Sequence, residues 1–176
     1  NNFMIPLSVP NINGNEWQYV KDCLDTAWIS SAGAYVNKFE DVIRNYTGVK
    51  HAVACMNGTA GLQVSLKLAE VSSNDIVIAP NLTFVATLNA ITYSGAEIVL
   101  IDICEDSWQI DVDLLQKWLE NNTSTRLIDG KPITIEKSTG KKIGAIMPVY
   151  VLGGFIDIDN LIKISTTYGI PIIEDS

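Results

Sequence analysis

The segment Asn57–Ala60 has the residue types and the position of a phosphate-binding turn. It follows Ala52–Met56, an apolar run of strand length, and it precedes apolar residues at helical spacing, Leu62, Leu66 and Ala69. A helix that begins near Thr59 would leave its first amides unpaired at the positive end of its dipole, and a phosphate would gain from both. Gly58 would let such a ligand approach the backbone closely. An ordinary N-capped turn is the alternative interpretation of the same residues.

Two further residues with distinctive chemistry follow predicted strands. Phe84 comes after a proline-led loop and begins a predicted helix, so its ring can lie at the sheet edge where parallel strands bind ligands; core packing is the alternative. Asp175 follows the apolar run Ile170–Ile173 and neighbours Glu174. Because side chains alternate along a strand, the two carboxylates are predicted to point to opposite faces. A carboxylate at this place favours a cationic partner such as a protonated ring nitrogen, and a helix N-cap is the alternative.

A phosphate seat, a flat aromatic ring and a carboxylate together suit one planar, phosphorylated heterocycle whose ring nitrogen is held in the charged form. Pyridoxal 5'-phosphate meets this description. The carboxylate would keep the pyridine nitrogen protonated, and the ring would then accept electrons from a carbanion on a bound substrate. No group of histidines or cysteines has the spacing of a metal site, so no metal is predicted.

The elements that must position these residues alternate between strand and helix after residue 50. The predicted strands are Ala52–Met56, Ile76–Ala79, Glu97–Ile101, Ile143–Val149 and Ile170–Ile173. The predicted helices begin near Thr59 and cover Phe84–Tyr93, Asp111–Leu119 and Ile158–Tyr168. Apolar strands that alternate with helices predict an α/β fold of three layers, a mostly parallel sheet with helices on both faces. Residues 121–142 interrupt the alternation and are predicted to form a solvated hairpin or loop insertion.

The first fifty residues form a separate helical segment in this prediction. Trp17, Val20 and Leu24 make the apolar stripe of one amphipathic helix. A second helix is predicted to bury Val36, Phe39, Ile43 and Tyr46 and to end at Thr47-Gly48. Residues 1–50 are therefore expected to be an N-terminal helical segment, and residues 51–176 part of a larger α/β domain.

Composition excludes several classes of partner. The formal net charge of −8 disfavours nucleic acid, because a polyphosphate backbone would be repelled. The three cysteines are widely spaced, which argues against a disulfide framework and favours a reducing compartment. The chain opens without a signal-peptide pattern and has no apolar run long enough to span a bilayer, so we expect a cytoplasmic protein that does not bind membranes.

Five segments resemble the sugar aminotransferases of the DegT/DnrJ/EryC1/StrS family, which are fold type I pyridoxal phosphate enzymes. These segments are Ile5–Pro10, Trp28–Gly33, Ala54–Ala60, Pro80–Ile91 and Pro171–Asp175. The resemblance implies the roles of the cofactor-binding residues. Gly58, Thr59 and Ala60 would hold the cofactor phosphate, Phe84 would stack on the pyridine ring, and Asp175 would pair with its nitrogen. It also implies a substrate loop that contains Trp28, Ser30 and Ser31.

The pattern from Pro148 to Gly153 most resembles the enzymes that aminate C4 of a UDP-linked 4-keto-6-deoxy-N-acetylhexosamine. The resemblance thus implies a nucleotide-sugar substrate, L-glutamate as amino donor, a homodimer, and a place in the synthesis of surface glycans such as lipopolysaccharide. Two positions depart from the family pattern. Tyr150 stands where relatives often have histidine, and Ala27 stands where glycine is common.

The family's catalytic lysine lies downstream of the Glu-Asp strand, which would place it beyond Ser176. We therefore expect no catalytic residue within this chain, which would be an inactive N-terminal part of a longer enzyme with further large-domain and small-domain residues. Two alternatives stay open. A sugar 3-dehydratase of the same fold has histidine in place of that lysine. A non-catalytic nucleotide-binding α/β module is the alternative from another class, although the chain lacks the GxGxxG pattern of a dinucleotide-binding domain.

Overall fold

The structure is a computed structural model that describes residues 4–6, 9–30 and 32–176. The chain divides into two compact units between Ala54 and Cys55, a few residues later than the boundary expected from the sequence. Among the described residues, no helix combines the length and the apolar character that a membrane span requires. Each unit is described by itself below.

The described residues of the first unit form two helices, α1 (Glu16–Asp25) and α2 (Ala34–Thr47). Gly48 ends α2 in the left-handed conformation, with φ of 75°, and its amide donates to the carbonyl of Arg44 at 2.9 Å. This is the glycine C-cap that the sequence predicted, since glycine adopts positive φ without a steric penalty.

The predicted burial of the apolar face of the second helix is wrong, and the apolar stripe of the first helix is not buried in this unit either. Neither α1 nor α2 contains a buried residue. Leu24 is 60% exposed and Phe39 is 56% exposed. The physical reason is size, since a unit of two short helices has too little volume to enclose both stripes. Amphipathic spacing was therefore sufficient to predict the helices and insufficient to predict their burial.

The second unit is built on a five-stranded sheet. Its strands are β1 (Asp75–Pro80), β2 (Glu97–Ile101), β3 (Thr123–Ile128), β4 (Lys131–Glu136) and β5 (Lys142–Ile146). Their order is β2-β1-β5-β4-β3, with β2, β1 and β5 parallel and the β3–β4 hairpin antiparallel. An isolated parallel bridge between Ile146 and Ile172 joins the predicted strand Ile170–Ile173 to the end of β5, and a second parallel bridge, between Val149 and Asp175, lies beyond both segments.

Helices cover both faces of this sheet, as the alternating pattern predicted. They are α3 (Gly58–Leu68), α4 (Val85–Ser94), α5 (Val112–Asn122) and α6 (Ile158–Tyr168). Strand β1 is buried on both sides and divides its side chains between two cores. Ile76 and Ile78 pack with residues of α5 and α6, whereas Val77 and Ala79 pack with residues of α3 and α4. The three-layer, mostly parallel architecture is confirmed.

The predicted insertion at residues 121–142 is a hairpin, but it is not simply solvated. It joins the sheet beside β5, and Thr134 and Glu136 are buried. The Thr134 hydroxyl donates to the carbonyl of Tyr168 at 2.6 Å, which ties the hairpin to the end of α6. Asp129 and Gly130 turn the hairpin with φ of 50° and 77°, the positive values that a two-residue turn of this hand requires.

The predicted strand Ala52–Met56 does not form among the described residues. Val53 is 82% exposed and Met56 is 88% exposed. A strand needs a neighbouring backbone to accept and donate its hydrogen bonds, and the described part of the chain provides none beside this segment. The apolar run therefore indicated an extended segment but could not supply its partner.

Candidate functional site

The predicted anion seat is the N-terminus of α3. Asn57 is the N-cap in extended conformation, and its Oδ1 accepts a hydrogen bond from the amide of Ala60 at 2.9 Å. The carbonyl of Asn57 accepts from the amide of Gly61 at 3.2 Å. Within the described residues, the amides of Gly58 and Thr59 have no protein acceptor. The N-cap and the anion seat thus coexist here, because the cap occupies the Ala60 amide and leaves the two before it free.

Gly58 opens this helix end to a ligand. A Cβ atom built on Gly58 would meet no heavy atom within 4 Å, and its φ lies outside the left-handed region. Backbone strain therefore does not require glycine here. The open space above its Cα gives an anion direct access to the two free amides.

Phe84 is the N-cap of α4, and its ring is 76% exposed. The alternative interpretation, an aromatic side chain packed in the core, is wrong. The carbonyl of Phe84 accepts from the amide of Thr87 at 3.1 Å, so the backbone next to the ring is fixed by the first turn of the helix. A flat apolar surface is consequently held at the start of α4.

Asp175 is fixed by both its backbone and its side chain. Its amide donates to the carbonyl of Pro148 and its carbonyl accepts from the amide of Tyr150, both at 3.0 Å. Its Oδ2 accepts from the hydroxyl of Thr87 at 2.5 Å, and that hydroxyl lies 2.7 Å from the hydroxyl of Thr83. The carboxylate is half-buried. It therefore points toward α4.

Glu174 points to the other face of the sheet, as the alternation of side chains predicted. Its carboxylate accepts a hydrogen bond from the hydroxyl of Tyr150, whose ring packs against the core on the side of α5 and α6. Burial, and then the contact with Glu174, raise the pKa of Tyr150 to about 12. The two neighbouring carboxylates thus have different partners, and only Asp175 lies on the side of α3 and α4.

Chain connections place the candidate residues at the carboxyl ends of the parallel strands. Helix α3 leads through residues 69–74 into the start of β1, so its N-terminus lies toward the carboxyl end of that strand. Phe84 follows the carboxyl end of β1, and Asp175 contacts the first turn of α4. Helices α3 and α4 pack on each other and share one core. This is the edge at which open parallel sheets bind their ligands.

The expected substrate-loop residues lie in the first unit. Trp28 and Ser30 are exposed and belong to the connection between α1 and α2. Ser31 lies outside the described residues. Ala27 adopts a φ of 58°, which lies in the left-handed region. Glycine would suit this position, because it adopts positive φ without a steric penalty.

Thr83 and Thr87 are the site residues that sequence reasoning missed. Their spacing of four along the start of a helix was visible, but threonine in helices commonly donates to the carbonyl four residues earlier. Thr47, Thr92 and Thr166 do so in this chain. Only the packing of α4 beside Asp175 gave Thr87 a different acceptor.

Comparisons with known proteins agree with this architecture. The GDP-perosamine synthase of Caulobacter vibrioides is 34% identical over 172 residues, which are 98% of this chain and 41% of that protein. EpsN of Bacillus subtilis, which is named as a putative pyridoxal phosphate-dependent aminotransferase, is 33% identical over 98% of this chain and 41% of its own length. The chain spans about two fifths of these curated relatives.

A solved structure and a family model give the same assignment. The structure of DesI in the presence of its TDP-sugar product matches with a TM-score of 0.70 and 29% identity, over 91% of this chain and 35% of the DesI chain. The model of the DegT/DnrJ/EryC1/StrS aminotransferase family matches residues 10–176. The resemblance inferred from five short segments is therefore confirmed along almost the whole chain. This chain belongs to the DegT/DnrJ/EryC1/StrS aminotransferase family.

Proposed function

We propose that the protein containing this chain is a pyridoxal phosphate-dependent aminotransferase that acts on a nucleotide-linked 4-keto-6-deoxy sugar. The observation that carries the proposal is the placement of a free helix N-terminus and of Asp175 at the same edge and on the same face of the sheet. An anion and a cation are favoured at these two points, and the cofactor carries both in one molecule.

The residues present fit this cofactor. The free amides of Gly58 and Thr59 and the hydroxyl of Thr59 would hold its phosphate, with Ala60 in the same first turn. Phe84 offers an exposed aromatic face for the pyridine ring. Asp175 is the carboxylate for the ring nitrogen. Among the described residues, it alone both follows the segment Ile170–Ile173 and accepts a hydrogen bond from the first turn of α4.

The bound cofactor would supply an electron sink for a carbanion at the reacting carbon. Asp175 would contribute by holding a proton at the pyridine nitrogen, because a fixed carboxylate favours the charged form of a nearby base. Phe84 would cover one ring face and keep water from it. The amides at the start of α3 would hold the phosphate and so set the position of the whole ring. The lysine that the family uses for proton transfer is expected in the residues after Ser176.

The finer assignments rest on the family resemblance. We propose a UDP-linked sugar as substrate. The similar proteins differ in the nucleotide: the Caulobacter vibrioides relative is named for a GDP-linked sugar, and the structure of DesI was solved in the presence of a TDP-sugar product. L-glutamate is the proposed amino donor, and Trp28, Ser30 and Ser31 are proposed to contact the sugar. A cytoplasmic homodimer that serves surface-glycan synthesis is the setting we propose.

Cofactor binding can be tested on this chain without the downstream lysine. Pyridoxamine 5'-phosphate is the suitable probe, because its amine does not react with lysines. We expect its fluorescence to change on binding to the chain, and we expect Asp175→Asn to weaken the binding. Glu174→Gln is the matched control on the neighbouring residue and should bind like the wild type. Equal binding by the Asp175 variant would remove this carboxylate from the site.

Activity is tested on the complete gene product. UDP-, GDP- and TDP-linked 4-keto-6-deoxy sugars are supplied with L-glutamate, and 2-oxoglutarate release is measured for each. The proposal predicts release that depends on both the sugar and the cofactor. Release of 2-oxoglutarate together with free ammonia and a keto sugar that has lost a hydroxyl group would instead indicate the dehydratase alternative, since a transaminase leaves the nitrogen on the sugar. No reaction with any of the three sugars would refute the proposed substrate class.

A further inference from the structure

The hydroxyl of Thr87 occupies an unusual place for a helical threonine. Thr92, five residues later in α4, donates to the carbonyl of Leu88 at 2.9 Å, as threonines in helices commonly do. The Thr87 hydroxyl contacts the carboxylate of Asp175 instead, 88 residues away in the sequence. Thr87 is completely buried, so water does not compete for this contact.

The direction of the hydrogen bonds follows from the chemistry of the groups. An ionised carboxylate only accepts, so the single hydroxyl proton of Thr87 must be donated to Oδ2 of Asp175. Thr87 can then only accept in its 2.7 Å contact with Thr83, so the single hydroxyl proton of Thr83 is donated to Thr87 rather than to the carbonyl of Phe84, which lies farther away at 3.3 Å. The result is a chain of donors that runs from Thr83 through Thr87 to Asp175. Hydrogen bonds in such a chain polarise and strengthen one another.

This chain of donors ends on one carboxylate oxygen of Asp175 and leaves the other oxygen available to a ligand. Oδ2 of Asp175 is held by Thr87, whereas Oδ1 has no donor among the described residues. The backbone of Asp175 is also held, through its amide and its carbonyl. A residue held at its amide, its carbonyl and one carboxylate oxygen offers the other carboxylate oxygen to a ligand, and it loses little orientational freedom when the ligand binds.

We infer that Thr87 is a positioning residue that orients Asp175 toward the protonated ring nitrogen of the cofactor. The inference rests on the proposed function, since it gives Asp175 the role assigned there. Thr87 itself would not touch the cofactor. The amide of Thr87 also donates to the carbonyl of Phe84, so one helical turn fixes the backbone beside the stacking ring as well as the carboxylate.

The test compares two ligands that differ only at the ring nitrogen. Pyridoxamine 5'-phosphate and its 1-deaza analogue, in which carbon replaces that nitrogen, are titrated into the chain, and their dissociation constants are compared. We expect the wild type to prefer the ligand with nitrogen. Thr87→Val should reduce that preference about tenfold, equivalent to about 1.4 kcal/mol, with little change in the affinity for the deaza analogue. Thr87→Ser, which retains the hydroxyl, should restore the preference.

Thr92→Val is the matched control, because it removes a hydroxyl from the same helix that bonds only within the helix. Thermal melting of each variant is measured alongside, and Thr87→Ala, which also removes the hydroxyl, carries the test if Thr87→Val does not fold. An unchanged preference in Thr87→Val, or an equal loss for both ligands, would overturn the inference while the proposed function stands. A wild type that binds neither ligand, or that binds both equally, would overturn the proposed function and the inference with it.

Discussion

Replacing Gly58 by alanine should separate ligand binding from folding. The added Cβ would meet no protein atom within 4 Å, and the residue already has a φ that alanine tolerates. Alanine restricts the unfolded chain more than glycine does, so the folded state should gain up to about 0.5 kcal/mol. For a chain of this size that gain corresponds to a rise of roughly 1–2 °C in the melting temperature.

The same methyl group occupies the open approach to the free amides of Gly58 and Thr59. Hydrogen bonds to a charged group contribute about 1.5–3 kcal/mol each. If the methyl group prevents one of them, the affinity for pyridoxamine 5'-phosphate should fall roughly tenfold to a hundredfold. Fluorescence titration measures the affinity, and circular dichroism measures the melting temperature. The expected result is therefore an equally or more stable variant that binds much more weakly.

Gly61 provides the contrasting control in the same helix. A Cβ on Gly61 would lie 3.0 Å from the sulfur of Cys55, so Gly61→Ala should stabilise less than Gly58→Ala or should destabilise. It should also affect the ligand less, because the Gly61 amide is already bonded to the carbonyl of Asn57. Wild-type affinity in Gly58→Ala would refute the placement of the phosphate at this helix end.

Three further predictions concern the fold. Ala27→Gly should raise the free energy of unfolding by up to about 1 kcal/mol in urea denaturation, because Ala27 has a φ of 58° and glycine relieves that strain; an unchanged value would argue against it. Hydrogen bonds from the hydroxyl and then the amide of Thr139 lower the pKa of Glu136 to about 2, so its stabilisation is present above its ordinary pKa and is lost as pH falls toward 2. Glu136→Gln should flatten the dependence of stability on pH between about 4.5 and 2, and an equally steep dependence would contradict this. The pKa of Tyr150 is raised to about 12 by burial and by Glu174, so stability should fall between pH 10 and 12, and Tyr150→Phe should fall less over that range in the same denaturation measurement.

Local patterns determined most of the secondary structure. The helix predicted at Ile158–Tyr168 has these same bounds in the structure, and α3 begins one residue before the predicted start near Thr59. The turn dipeptide at Asp129 has the predicted hairpin geometry. Each of these depends on residues close together in the sequence, namely caps, glycine positions and apolar spacing, so the sequence was enough.

Strand pairing and burial needed the tertiary structure. Ala52–Met56 has the composition of a strand but no neighbouring backbone among the described residues, and the apolar stripe of Phe39 is not covered within its unit. Hydrogen-bonded strands and buried faces both require a second element, and the apolar character of one segment does not reveal whether that element is present.

The sequence by itself determined which residues can carry the chemistry, because a glycine at a helix start, an exposed ring and a carboxylate after a strand are recognisable one by one. Only the tertiary structure decided how they cooperate. It showed that the cap occupies the Ala60 amide and leaves Gly58 and Thr59 free, and it brought Thr87 to Asp175 across 88 residues. The reason is that a side-chain hydrogen bond forms over a few ångströms in space, and that distance is set by the packing of α4 beside the strand rather than by spacing along the chain.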